Sequence, residues 1–259
     1  MEKVRREVSE LAIELRDIQK VFVTDSNRVE ALAQISLQIA QGEFVSMIGP
    51  SGCGKTSLMR IVGDLETPTK GTVRVLGKIP ETARRERLVG FVFQHPSLLA
   101  WRTVEENVRL PAEVFGDAEV LSRVSEMIDI VGLAGFEQAY PRELSGGMQS
   151  RVAIARVLTF RPSVLLMDEP FGALDEMTRE KMQIELLRIW QATGAAVLFI
   201  THSISEALLL SDRVVVMSAR PGKIAEDLSV NFPHPRENTL RADPQFVAME
   251  AHLRERLEG

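Results

Sequence analysis

Gly49-Pro50-Ser51-Gly52-Cys53-Gly54-Lys55-Thr56-Ser57 constrains this chain more than any other stretch. It follows the apolar run Phe44-Val45-Ser46-Met47-Ile48 and leads into Leu58-Met59-Arg60-Ile61-Val62, which reads as a helix. Strand, glycine-rich loop, Lys-Thr and helix form the context that a phosphate-binding loop requires. Glycines let successive backbone N–H groups curl around phosphate oxygens, and the helix N-terminus adds its positive dipole end. Lys55 is placed to reach the β and γ phosphates, and the Thr56 hydroxyl to ligate Mg²⁺. The stretch predicts a nucleoside triphosphate site in an α/β fold. The blander alternative is a glycine turn that only joins strand to helix.

Composition narrows the class. The 259 residues are 45% hydrophobic and 26% charged, ordinary values for a globular protein with a sizeable core. A net charge of −5 argues against nucleic acid as the main partner. One cysteine makes no internal disulfide, which fits a reducing compartment. The start, Met1-Glu2-Lys3-Val4-Arg5-Arg6-Glu7, is charged and lacks the apolar core of a signal peptide. No apolar run approaches membrane-spanning length, so a membrane role is expected only through a partner.

Along the chain, Ala12 to Val23 and Ile35 to Ile39 read as strands, separated by a polar loop from Thr24 to Glu30. Thr72 to Leu76 and Val89 to Phe93 read as strands again. Helical periodicity takes over at Val104 to Phe115 and Val120 to Val131, the latter ended by Gly132. Short apolar runs return at Ser163 to Met167, Ala196 to Ile200 and Val214 to Met217, alternating with helices, which predicts a parallel sheet buried on both faces. From Asp243-Pro244 an amphipathic helix carries Phe246, Met249, Leu253 and Leu257 on one side.

Two further motifs carry chemistry. Leu165-Leu166-Met167-Asp168-Glu169-Pro170 is an apolar strand ending in two carboxylates. Asp168 stands where an acid holds Mg²⁺, and Glu169 where one polarises an attacking water. Leu144-Ser145-Gly146-Gly147-Met148-Gln149-Ser150-Arg151 precedes a helical run from Val152 to Phe160. Ser145 is a natural N-cap, and Gly146 and Gly147 expose N–H groups at a helix N-terminus.

With this third motif between the other two, the chain resembles the ATP-binding cassette (ABC) family, and the resemblance spans most of its length. It implies a P-loop ATPase with a mainly parallel sheet core, an N-terminal antiparallel β subdomain and an inserted helical subdomain. The implied division is 12–94 and 157–235 for the core, 95–156 for the helical subdomain and 236–259 for a C-terminal helical tail. It further implies that Phe22 stacks on adenine and that Gln94 contacts Mg²⁺ or the attacking water. Asp175, in Ala173-Leu174-Asp175, lies in the loop that crosses to a partner's site. His202, in Thr201-His202-Ser203, is the switch near the γ-phosphate. His95, His234 and His252 are expected to be structural. Ser150 stands where close relatives have glutamine, so a polar contact near the signature is expected to weaken. Cys53, beside a helix N-terminus, is read either as a small filler or as a thiol whose alkylation blocks nucleotide.

The family logic places ATP between the phosphate loop of one subunit and Ser145-Gly146-Gly147 of a second copy, a head-to-tail homodimer. Hydrolysis then relaxes a closure that reaches integral membrane permease subunits at the cytoplasmic face of the cell membrane. The segment Gln94 to Arg102 is the expected contact, with Trp101 either its anchor or subdomain core. Leu98-Leu99-x-Trp101-Arg102-Thr103-Val104-x-Glu106-Asn107-Val108 and Met217-Ser218-x-Arg220-Pro221-Gly222 resemble ATPases of nitrate, sulfonate, taurine and bicarbonate importers. Such systems work with a solute-binding protein. The stretch after Pro235 is shorter than the regulatory domain of sugar-importer ATPases. The alternatives are a soluble cassette ATPase acting on DNA or ribosomes, and the ATPase of an exporter.

Overall fold

The computed structural model describes residues 10–24 and 27–258. The charged start at Met1–Glu7 and the centre of the polar loop, Asp25 and Ser26, lie outside the described residues. Two sheets organise the rest. Strands β1 (Leu11–Thr24), β2 (Asn27–Ala40) and β4 (Lys70–Val75) form an antiparallel sheet in the order β2-β1-β4. Strands β3 (Phe44–Ile48), β5 (Val89–Val92), β6 (Val164–Asp168), β7 (Ala196–Ile200), β8 (Arg213–Met217) and β9 (Ile224–Ser229) form the second sheet, ordered β5-β6-β7-β3-β8-β9. All its pairings are parallel except that of β9 with β8.

The central strands are apolar throughout because both faces are covered, and successive side chains enter different cores. On β7, Ala196, Leu198 and Ile200 join the core shared with the antiparallel sheet and α1 (Lys55–Val62). Val197 and Phe199 join the core on the opposite face, beneath α6 (Gly146–Leu158) and α7 (Glu176–Thr193). On β8, Val214 and Val216 meet α8 (Ile204–Leu210) and α9 (Pro244–Glu258) through Phe246 and Leu253, with Met249 and Leu257 at the margin. The apolar side foreseen for the last helix is the side that docks.

Several elements differ from the sequence expectation. The β1–β2 hairpin is longer, because its strands continue into the polar stretch read as a loop. β9 and α2 (Pro80–Arg85) were not foreseen. The first is an edge strand that alternates half-buried Ile224, Glu226 and Leu228 with exposed Ala225, Asp227 and Ser229, and the second is a short charged helix with Pro80 in its first turn. The run Val120 to Val131 is two helices, α4 (Ala118–Ser122) and α5 (Val124–Ile130). They part at Arg123, whose guanidinium donates to Thr159 O at the end of α6 (2.5 Å). By contrast α3 (Val104–Phe115) has the foreseen limits. Thr103 caps it by accepting from Glu106 N (3.3 Å) while Glu106 accepts from Thr103 N (2.9 Å). The division foreseen between residues 156 and 157 falls inside α6. The tail from residue 236 opens on a buried Arg236, whose guanidinium donates to Leu208 O, Leu209 O, Ser211 O, Val230 O and Phe232 O.

Candidate nucleotide site

β3, between β7 and β8 in the sheet, delivers the chain to the glycine-rich loop, and α1 leaves it. Gly54, the residue before α1, has φ 105, and a Cβ there would stand 2.6 Å from Leu32 Cδ2. Only glycine fits both demands. No acidic residue occupies the first turn of α1, so its N-terminal dipole faces the loop uncompensated. Lys55 opens the helix at 5% exposure. Its ammonium donates to Gly49 O (2.7 Å) and Pro50 O (3.0 Å) and lies 3.6 Å from Cys53 Sγ. No carboxylate pairs with it among the described residues. A buried cation held only by neutral groups is poised for an anion.

A cleft of about 510 Å³ opens over this loop. Ser51, Gly52, Gly54, Lys55, Thr56 and Ser57 form its floor, Phe22 one wall, and Gln94, Glu169 and His202 another. Phe22 is 39% exposed on β1, opposite Val29 of β2, with the Lys20 ammonium 4.9 Å from its ring centroid. Gly49, Pro50 and Cys53 do not line the cleft. Cys53 is 1% exposed and packed in the core, which removes the reading of an accessible thiol.

Glu169 is the residue after β6 and sits at φ 48, a strained conformation for a side chain with a Cβ. Its N–H donates to Ile200 O (2.9 Å), which holds the turn against β7. Its carboxylate accepts from Gln94 Nε2 (3.1 Å) and meets His202 Nε2 at 2.5 Å. Residues from the ends of β5, β6 and β7 thus converge on one carboxylate. The arrangement suits a base that activates water beside a group able to sense the terminal phosphate.

Asp168 lies behind this cluster. Burial pushes its carboxyl above the usual range, opposed by a hydrogen bond with Thr56 and by the charges of Arg60 and Lys55, while Glu169 adds to the rise. Its Oδ1 is buried without a hydrogen-bond partner. An orphaned carboxylate oxygen beside a threonine hydroxyl is a hard-oxygen donor pair of the kind Mg²⁺ takes. No group of three or more His, Cys, Asp or Glu among the described residues forms a protein-only metal cage. A cation at Asp168 and Thr56 would complete its shell from phosphate and water.

Exposed Ser145, Gly146 and Asp175, with half-buried Gly147, form a second patch that does not line the cleft. Ser145 Oγ accepts from Met148 N (3.2 Å), capping α6. A Cβ on Gly147 would stand 3.2 Å from Ala173 O, so the glycines press against the turn that leads to Asp175. Asp175 caps α7 by accepting from Thr178 N (3.0 Å). That bond first, then one from the Thr178 side chain, hold its carboxyl below the usual range. The molecule therefore carries two separate surfaces with glycine-rich helix starts.

The chain matches the model of the ABC transporter family over residues 32–172. The nitrate import ATP-binding protein NrtD of a Synechocystis strain is 44% identical over 255 residues, 95% of each chain. The chain belongs to the ABC transporter family. The aliphatic sulfonates import ATP-binding protein SsuB of Bacillus thuringiensis subsp. konkukian is 42% identical, over 91% of this chain and 93% of its own. Among solved structures, a dimeric post-hydrolysis ATP-binding cassette bound to ADP and Pi is 33% identical. It matches with a TM-score of 0.77 over 85% of this chain and all of its own.

Around the cassette's cleft, three lining residues escaped the sequence reading in this role. Val29 and Ala31 enter because the β1–β2 hairpin is longer than foreseen, and Arg220 because a turn after β8 folds over the loop. Arg220 was singled out only as part of a subtype pattern. Ser150 turns inward, donating to Gly146 O (3.2 Å) on its own helix, so the polar contact considered for it is intrahelical. His234 and His252 pair with Asp212 (3.1 Å) and Glu226 (2.8 Å), away from the cleft. Trp101 is 72% exposed rather than part of the subdomain core. Asn107 projects it: buried, it accepts from Leu99 N (2.8 Å) and donates to Leu99 O, Arg102 O and Thr103 O.

Proposed function

We propose that this cassette is the ATP-hydrolysing subunit of an importer for a small anionic solute of the nitrate and sulfonate class. The observation that carries the nucleotide part is the buried Lys55 ammonium, hydrogen-bonded to carbonyls rather than ion-paired, beneath a cleft walled by the Gln94–Glu169–His202 cluster. The import names of the relatives support the transport part and favour it over the alternatives of a DNA- or ribosome-acting ATPase and an exporter subunit.

In this reading Phe22 stacks on adenine, and the loop from Gly49 to Ser57 cradles the phosphates with backbone N–H groups. Lys55 exchanges the Gly49 and Pro50 carbonyls for phosphate oxygens. Thr56 and Asp168, with Gln94, hold Mg²⁺, which when bound offsets charge on the β and γ phosphates. Glu169 takes a proton from the attacking water, and His202 links that carboxylate to the terminal phosphate. Ser145, Gly146, Gly147 and Asp175 of a second copy complete the site, since on their own chain they do not line the cleft.

None of the described helices is long and apolar enough to cross a membrane. The membrane contact is therefore assigned to permease subunits, met at the cytoplasmic face by Trp101 and the helices of residues 95–156. An external solute-binding protein supplies the solute.

Steady-state hydrolysis and equilibrium ATP binding test this reading. Glu169→Gln should keep ATP affinity and lose turnover by about a hundredfold or more. Lys55→Ala should lose affinity itself. Wild-type turnover in the Glu169 variant would overturn the assignment.

A further inference from the structure

The turn after β8 runs back over the phosphate loop. Gly222 permits this by close approach, because a Cβ on it would stand 2.0 Å from Cys53 O. Its N–H donates to Ala31 O (2.9 Å) and its carbonyl accepts from Ala33 N (3.0 Å). The turn is thus stitched to β2 while it presses on the loop. From it, Arg220 enters the cleft wall beside Phe22, Val29 and Ala31. Its Nε and Nη2 both donate to Gly52 O, at 3.2 and 3.0 Å. Its Nη1 has no hydrogen-bond partner among the described residues, and no carboxylate there pairs with the guanidinium.

Strand order says which end of a ligand this cation serves. Gln94, Glu169 and His202 follow β5, β6 and β7, all on one side of β3 and its loop. Arg220 follows β8, on the other side, against the hairpin that carries Phe22. The catalytic cluster and Arg220 therefore flank the loop from opposite directions.

We propose that Arg220 is a second cation of the nucleotide site, holding the phosphates nearer the base, which ATP and ADP share, while it pins Gly52. This rests on the nucleotide reading of the cleft. A guanidinium can engage a carbonyl along one edge and a phosphate oxygen along another, which a point-charge ammonium cannot do equally well. Because the contact lies away from Glu169, its loss falls on binding more than on turnover.

Calorimetric titration of ATP and of ADP into the full chain, wild type against Arg220→Gln, Arg220→Lys and Lys55→Ala, tests the inference. Glutamine can still donate to Gly52 O but carries no charge, whereas lysine keeps the charge. Arg220→Gln should weaken ATP and ADP alike by about tenfold, and Arg220→Lys should lose less. The deficit of the glutamine variant should shrink as salt is raised. KM for ATP should rise in step, with kcat within about twofold of wild type. Unchanged affinity in Arg220→Gln, with Lys55→Ala still defective, would overturn the role of Arg220 alone. A loss confined to ATP would overturn its placement at the base-proximal phosphates. A wild-type chain that binds neither nucleotide would instead overturn the nucleotide reading.

Discussion

Glu206 lies one turn beyond the candidate switch His202 and is nearly sealed from solvent. Burial raises its carboxyl above the ordinary 4.5, against hydrogen bonds from Thr201 and Gln183 and the charges of Arg179 and Arg241. It accepts from Gln183 Nε2 (2.8 Å) and from the Thr201 hydroxyl, and that hydroxyl accepts from Ser203 N (3.0 Å). The turn bearing His202 is thus fastened to α7 through a buried acid. A raised folded-state value means the folded protein binds the proton more tightly than the unfolded chain. The associated stability is present below about pH 4.5 and is lost as pH rises through the folded value. Glu206→Gln keeps the shape and removes the ionisation. Its melting temperature relative to wild type should therefore climb between acidic and neutral pH. A difference that stays flat or falls across that range would contradict this account.

At the scale of elements, the loop before α3 shows how one buried side chain presents another. Asn107 satisfies four backbone groups of residues 99–103, and that frame holds Trp101 out in solvent. Asn107→Ala leaves Leu99 N and Arg102 O without partners, while Leu99 O keeps Arg102 N and Thr103 O keeps the backbone N–H of residue 107, and it should cost about 2 kcal/mol in denaturant unfolding. Trp101→Ala should leave stability and ATP binding of the isolated chain within error, yet abolish co-purification with the permease. Retained co-purification would return Trp101 to an incidental surface role. These elements also show what the sequence disclosed. α3 and β7 were legible to the residue because caps and apolar runs mark their ends. β9 and α2 were not, since an edge strand and a six-residue charged helix bury too little to leave a periodic pattern. The split of α4 from α5 depends on Arg123 reaching the distant Thr159 carbonyl, a tertiary contact that local spacing does not encode. Lys55 and Glu169 are legible from motifs, Phe22 and His202 only through the family resemblance, and the fold gathers all of them at one cleft. Arg220 was missed in that role because only the approach of Gly222 to Cys53 brings its turn over the loop.

For the whole molecule, the deciding feature is the separation of two surfaces. One is a cleft with a buried cation and the Gln94–Glu169–His202 cluster. The other is a pair of capped helix starts around Ser145 and Asp175 that takes no part in the cleft lining. A monomer leaves the second surface without a ligand of its own. In the proposed reading, two copies related head to tail would bring each surface to the other's cleft, and ATP would become part of the interface. Sedimentation of the Glu169→Gln variant with and without ATP tests this most directly. The account predicts a monomer without nucleotide and a dimer with ATP, reverting when Ser145→Arg is added. A species that stays monomeric at saturating ATP, with binding intact, would contradict it.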